Sequence, residues 1–430
     1  GCSSGDVGGD RPSGATAGPS TGDARAPAGD TTCAAPGDGA QPWDDGPAAD
    51  LVTLVDGGDG LRVRAAVYPR PDYEGNPWSQ WGQGVVLDDG RFLSAIGDHR
   101  GRDGNSYLYE YAPDEGRLTR IGDVAALAGH RAGDYGYGKV HAQMVLGPCG
   151  EVYAATYWGS QRELEYGGSY RGDVLLRLDP ERRSTENLGT ILDEHGVPSM
   201  AGWAEGGLLY AEAADPDRFD PQRGAFVVVD MATGERVFAT DDEEDHRGFR
   251  AMAVDDRGRV TFSRTEGRLA RWDPATGDIS ELDAVLPGEF LRAATPPAPD
   301  GTVYLVTQHP DALFALAPDG TLRELGPLEG YTTSVALSPG GERLWYVPGA
   351  HGDAAEQGTP LIEVDTATGD QRVVVELDPL ARDGLGLSLG GTYNVAVDPA
   401  GTVLYLGMNA AEPDADDTFG EVVLVVVDLP

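Results

Sequence analysis

Positive charge is scarce in this sequence. Across 430 residues, 32 lysines and arginines face 71 aspartates and glutamates, for a formal net charge of -39. A chain this acidic repels nucleic acid and anionic membrane surfaces, which argues against polyanion binding by bulk electrostatics. An anionic ligand would need a local basic pocket set against the overall field. The chain also lacks any apolar run of the roughly 18 residues that a membrane-spanning helix requires. Cysteine is limited to three and histidine to seven. No CxxC or Cys/His spacing suggests zinc. HExxH and Walker sequences are missing too, which disfavours the protease and nucleotidase mechanisms built on them. Hydrophobic residues at 40% are ample for a core, and 62 glycines with 30 prolines fit a chain of many tight turns.

Large apolar side chains are almost absent from residues 1–48, which consist mainly of Gly, Ala, Pro, Ser, Thr and Asp. Such a segment cannot offset its ordering entropy by burial and is expected to be a disordered tether. Residues 49–430 are left for the folded domain. The opening "GCSSGD" resembles the start of a mature bacterial lipoprotein, in which the cysteine after the cleaved signal peptide carries the lipid. That resemblance implies lipidation at Cys2, an exported chain in the cell envelope or outside the cell, and membrane contact only through a lipid anchor. In an oxidising compartment Cys33 and Cys149 can pair, pinning the tail to the turn "GPCG". Two free thiols are the alternative.

One pattern recurs seven times: an apolar strand, a tight turn ending in glycine, and a second strand. Examples are "GVVLDDGRFLSAI", "AMAVDDRGRVTFS" and "NVAVDPAGTVLYLG". The turn glycines are Gly90, Gly150, Gly207, Gly258, Gly301, Gly341 and Gly401, spaced 40 to 60 residues apart. A third strand follows each pair and a fourth follows in six of the seven. This predicts an all-β fold, a seven-bladed β-propeller of four-stranded antiparallel blades. The seventh unit has three strands before the chain ends. The spare strand "DLVTLVD", residues 50–56, is expected to complete it and close the ring. A pair of sandwiches is the alternative, and the regular spacing argues against it.

The stretch "GYGKVHAQMV" alternates Lys139, His141 and Gln143 with Val140, Ala142 and Met144. In extended chain the three polar side chains share one face, expected to border the central funnel. Equivalent positions of the repeat place Trp81, Met200, Arg250, Arg292, Thr333, Tyr393 and Asn394 at the same rim. The ends of the second strands add His99, Tyr157, Trp158, Glu212, Arg264, His309, His351 and Asn409. Polar residues also line water-filled channels without function, and arginines also pair with acidic neighbours. The acidic run "DDEEDHRG" and the segment "EPDADD" read as solvated loops. "DHRGRDGN" at 98–105 is a weak calcium candidate.

Phrases such as "ARWDPATGDISEL" and "FALAPDGTLREL" give the chain a resemblance, at the level of architecture, to exported seven-bladed propellers. That broad group includes virginiamycin B lyase and the propeller-fold polysaccharide lyases. No catalytic motif matches residue by residue. The first functional expectation is therefore a funnel that binds an anionic ligand, such as a carbohydrate, and cleaves it by β-elimination beside a uronate carboxylate. Arg250, Arg292 and Arg264 would neutralise the carboxylate. His141 or His99 would take the proton, and Tyr157 would protonate the leaving oxygen. Lys139, His309, Asn394 and Trp158 complete the expected binding set. The alternative is a binding propeller without catalysis, for a glycan, small molecule, peptide or protein; on either reading the chain is expected to be a monomer. A third variant places a divalent metal between His99, His141 and His309.

Overall fold

A computed structural model describes Cys33 and residues 37–430, apart from 59, 72–77, 159–168, 216–223, 242–249, 289, 351–357, 414 and 416–418. Seven antiparallel sheets follow one another along the chain and form a seven-bladed β-propeller. The seven turn glycines of the repeat all have positive φ, between 61° and 84°. Only glycine adopts that conformation without steric cost, which is why it ends each turn. The inner strands of blades 1 to 7 are Val85–Val86, Val145–Leu146, Gly196–Trp203, Ala253–Val254, Phe290–Ala294, Val335–Leu337 and Ser388–Val397.

Alternation along each strand serves two interfaces at once. In blade 2, Val152 and Ala154 pack towards Leu93 and Leu108 of blade 1. The intervening Tyr153 and Ala155 pack towards Leu209 and Val227 of blade 3. The same division repeats between blades 3 and 4, 4 and 5, 5 and 6, and 6 and 7. A core that joins Phe92 and Tyr109 of blade 1 to Tyr405 and Leu424 of blade 7 completes the circuit. No blade buries both of its faces alone.

The ring closes one strand later than the sequence pattern suggests. Strand Arg62–Val67, not residues 50–56, pairs antiparallel with the C-terminal strand Glu421–Asp428, in register from Val67 opposite Val423 to Arg62 opposite Asp428. Strand Val52–Asp56 turns back to pair with Arg62–Val67 and becomes a fifth, outermost strand. Burial explains the choice: Val63 and Ala65 are fully enclosed between blades 6 and 7, whereas Val52 is 45% exposed. Two further contacts lock the seam. Asn409 accepts from Gln80 N–H at 2.8 Å and donates to its carbonyl at 3.1 Å.

Residues 37–48 do not behave as a tether. Gln41–Pro42 pairs with the outer strand of blade 2, and Ala48–Asp50 pairs with that of blade 1. Trp43 is buried, donates its indole N–H to Thr185 Oγ1 at 2.9 Å, and lies beneath the Arg183 guanidinium at 5.0 Å. A single buried tryptophan supplies the apolar area that the surrounding small residues lack. Cys33 is disulfide-bonded to Cys149, 116 residues away. Cys2 and the rest of the expected tether lie outside the described residues.

Deleting residues 1–32 is expected to leave the melting temperature within a few degrees. Deleting residues 1–67 is expected to abolish the cooperative transition, because it strips the last blade of its closing strand and opens an edge. Calorimetry of the two truncations checks this.

Candidate functional site

Rotational symmetry brings the segments leading into the inner strands to one rim of the ring, and the ends of the second strands join them there. At blade 2 the pairing is direct: Lys139 lies opposite Tyr157, and Val140 opposite Thr156. The strand breaks after Val140, yet the alternation persists. Val140, Ala142 and Met144 enter the cores against blades 1 and 3, while Lys139 and His141 turn to the axis. Gly97 and Gly138 permit the close approach of blade 1. A Cβ on Gly97 would stand 2.2 Å from the Gly138 carbonyl, which instead accepts from His99 N–H at 3.1 Å.

The side chains that meet here form a continuous chain of contacts. Lys139 Nζ stands 4.5 Å above the Trp81 ring and 5.8 Å from that of Tyr157. Tyr157 packs on His141 with ring centroids 4.7 Å apart. Trp81 also contacts His99 at 5.0 Å, Tyr393 at 5.1 Å and Phe419 at 5.6 Å. The Arg250 guanidinium lies 4.7 Å from the Tyr393 ring and donates to the Trp81 carbonyl at 3.2 Å. Gln143 crosses between blades, donating to the Arg250 carbonyl at 2.6 Å and accepting from Met200 N–H at 3.4 Å. Lys139, His141, Arg250, Tyr157 and Tyr393 form a buried floor, with Trp81, His99 and Phe419 partly exposed above it.

The electrostatics are unusual for a protein of charge -39. Neither Lys139 nor Arg250 has a carboxylate partner among the described residues. Burial and the neighbouring Arg250 charge lower the Lys139 ammonium from 10.5 to about 7. Burial, with the Arg250 and Lys139 charges adding to it, holds the His141 imidazole well below its ordinary value. His99 is lowered to about 3 by burial and by Lys139. Both rings are therefore neutral at pH 7. His141 Nδ1 lies 2.7 Å from the Pro198 carbonyl, which can only accept. Nδ1 thus carries the hydrogen, and the lone pair resides on Nε2. The Tyr157 phenol is pushed well above its ordinary value by burial and keeps its proton.

Other expected site residues have different roles. Arg264 turns to the outer edge of blade 4, where it meets Glu281 at 3.7 Å. Asn394 accepts from Gly84 N–H at 3.0 Å and is fully buried, so it secures the seam between blades 7 and 1. Trp158 lies behind the floor, its ring tilted against that of Tyr157 with centroids 3.8 Å apart, within an aromatic cluster with Tyr135 and Tyr170. His309 is exposed. Arg292 does reach the rim, with its guanidinium over Tyr331 at 5.4 Å and its Nε donating to Gln308 at 2.6 Å. His351 and the acidic run near 241 lie outside the described residues, save Asp241.

No three His, Cys, Asp or Glu side chains converge on an ion position among the described residues. His99, His141 and His309 do not meet, so the residues present do not fit the metal variant. At 98–105, the Asp98 carboxylate is occupied by the N–H groups of Arg100 and Asn105, both at 2.9 Å. A hydrolase-like GxSxG spacing does occur, at Gly386–Gly390. Its Ser388 is buried and bonded to Asp378 and Arg382 of the helix Leu377–Leu385 that leads into blade 7.

No protein-family model and no curated protein matches the chain. Solved structures do match. Virginiamycin B lyase from Staphylococcus aureus aligns at TM-score 0.53 and 10% identity, covering 85% of this chain and 99% of its own. An oligogalacturonate lyase solved with manganese aligns at 0.53 and 12%, covering 91% and 97%. The RRP9 WD40 repeats align at 0.55 and 10%, covering 88% and 100%. The shared property is the fold. Lyases stand among the neighbours, as the sequence resemblance implies, but so does a WD40 protein. Function must therefore be argued from the site. Tyr331, Gln308 and Phe419 are not singled out by the sequence pattern; Phe419 lies between the second and third strands of blade 7, Val403–Ala411 and Glu421–Asp428.

Lys139→Met tests the electrostatics. Between pH 7 and 10.5 the unfolded chain holds a proton on Lys139 that the folded chain has released, so stability rises with pH across that window. The variant is expected to be more stable by about 2–4 kcal/mol at pH 7. It should also lose this component of the rise between pH 7 and 10, as read by urea denaturation at several pH values.

Proposed function

We propose that the funnel binds a carboxylate-bearing ligand, foremost an anionic carbohydrate, and cleaves it by β-elimination. The observation that carries this reading is a buried lysine and a buried arginine that repel each other and have no carboxylate partner among the described residues, in an otherwise strongly acidic protein. Burying cations unpaired is costly. A ligand carboxylate supplies the missing counter-charge, and a guanidinium presents it with a planar fork. Arg250 Nε is buried and has no hydrogen-bond partner among the described residues, a donor that an anion reaching the floor would satisfy.

The remaining groups suit the chemistry. Neutralising a uronate carboxylate makes the neighbouring C–H more acidic. His141, held neutral with its lone pair on Nε2, accepts that proton. Tyr157, which keeps its phenol hydrogen, donates to the departing oxygen. Trp81 offers a partly exposed ring for a sugar face. The Cys33–Cys149 bond supports an exported chain in an oxidising compartment, and a lipid on Cys2 would hold it at the envelope. A non-catalytic binding site is the second reading. It is favoured by the depth of His141, which is only 5% exposed and a weak base while no anion is bound.

A panel of uronate-containing polysaccharides, followed by ultraviolet absorbance of the unsaturated product, tests the first reading. Product is expected, with His141→Ala reducing the rate about 10²–10⁴-fold and Arg250→Gln raising KM. Silence across the panel, with calorimetric binding of an oligouronate lost in Arg250→Gln, would establish the second.

A further inference from the structure

The sequence contains 31 arginines and one lysine, and that lysine is Lys139. At every other cationic position the chain uses a group that cannot lose its proton at accessible pH. The one exception lies on the funnel floor, 8% exposed, between the rings of Trp81 and Tyr157. If the position served only to attract an anion, arginine would serve equally well. A lysine in this setting differs in one chemical respect: its amine can be deprotonated and carry a nucleophilic lone pair.

We propose that Lys139 is a nucleophilic amine that captures the carbonyl carbon of a 2-oxo acid as an imine, with Arg250 holding the adjacent carboxylate. The Nζ lone pair adds to the carbonyl carbon and the carbonyl π electrons move to oxygen, which takes a proton as the nitrogen loses one. The resulting carbinolamine hydroxyl is protonated and leaves as water, and the nitrogen lone pair forms the C=N bond of a protonated imine, which releases its remaining N–H proton to give the imine. No oxidant or further reactant is consumed. His141 and Tyr157 flank the amine and can carry these protons. Burial and the Arg250 charge set the ammonium near 7, which leaves a substantial neutral fraction at physiological pH.

The ligand class follows from the seat. An aldehyde lacking an acid group leaves Arg250 without a counter-charge, whereas a 2-oxo acid places its carboxylate one bond from the reacting carbon. The proposal shares the carboxylate seat with the reading above but not its reaction. It meets that reading in one respect: β-elimination from a uronate yields an enol ether whose ring-opened form is itself a 2-oxo acid.

The test is reductive trapping of the intact protein with pyruvate and cyanoborohydride, followed by peptide mapping. An N-(1-carboxyethyl) group is expected on Lys139. At pH 7 it should form at least roughly tenfold faster than in the urea-unfolded chain, whose lysine has an ordinary pKa. An unmodified Lys139, or equal rates in folded and unfolded protein, would overturn the proposal. Arg250→Gln also removes a charge that lowers the ammonium, so it is expected to slow trapping of propanal somewhat and of pyruvate more strongly; equal effects on both would remove the carboxylate seat. An adduct without elimination activity leaves this inference standing alone, and elimination without an adduct defeats only this one.

Discussion

The ladder between Arg62–Val67 and Glu421–Asp428 joins chain segments more than 350 residues apart, and every inter-blade core depends on it. Each blade is buried by its two neighbours, so an open array would expose one face at each end and leave an unpaired edge. Closing the ring removes both defects together. It also fixes the axis. The funnel floor draws on blades 2, 4 and 7 and on the segment leading into blade 1, so its geometry exists only when the seam is shut. The Asn409–Gln80 pair of hydrogen bonds lies on that seam, one residue from Trp81. Stability and site geometry therefore share the same junction.

A site built this way can carry charge that a smaller fold would not tolerate. Lys139 and Arg250 are desolvated, and their mutual repulsion adds to the cost. Contacts with the faces of Trp81 and Tyr393 offset part of it, and the Trp81 carbonyl accepts from Arg250. No carboxylate completes the balance among the described residues, although the chain has 71 acidic residues from which to supply one. Elsewhere the fold pairs its arginines readily. Arg91 reaches Asp89, Glu110 and Glu181, and Arg382 reaches Asp378. The omission at the axis is thus local, and it gives the funnel a sign opposite to that of the surface.

The repeat made the fold legible. Turn glycines at regular spacing specify positive φ, and strands between them specify blades. The pattern does not distinguish the closing strand, because "DLVTLVD" and "RVRAAV" are neighbouring segments of similar strand character. Only the burial of Val63 and Ala65 between blades decides which one meets the C-terminus. Residues 37–48 were misread because ordering there rests on one tryptophan and one disulfide, which bulk composition does not weigh. Repeat equivalence brings Lys139, His141, Arg250 and Tyr157 to one rim, where their side chains meet, since rotation carries equivalent positions there. It failed for Arg264 and Trp158, because residues at a strand end alternate between the axis and the neighbouring layers, and position alone does not give side-chain direction.

Lysine and arginine divide the work of the floor between a titratable and a permanent charge. Arg250 attracts an anion at every accessible pH. Lys139 responds to one: burial lowers its ammonium and the Arg250 charge adds to that, so a carboxylate beside it relieves part of the lowering and draws a proton onto the amine unless the ligand's own chemistry consumes the lone pair first. His141 stands under the same field, with Arg250 and Lys139 both depressing it, and a bound anion raises it in the same direction. The basicity that proton abstraction needs is therefore weak in the free protein and grows when the ligand arrives. A poor base in the empty funnel is thus a better one in the filled funnel, because the ligand neutralises the Arg250 and Lys139 charges that add to the burial holding it down.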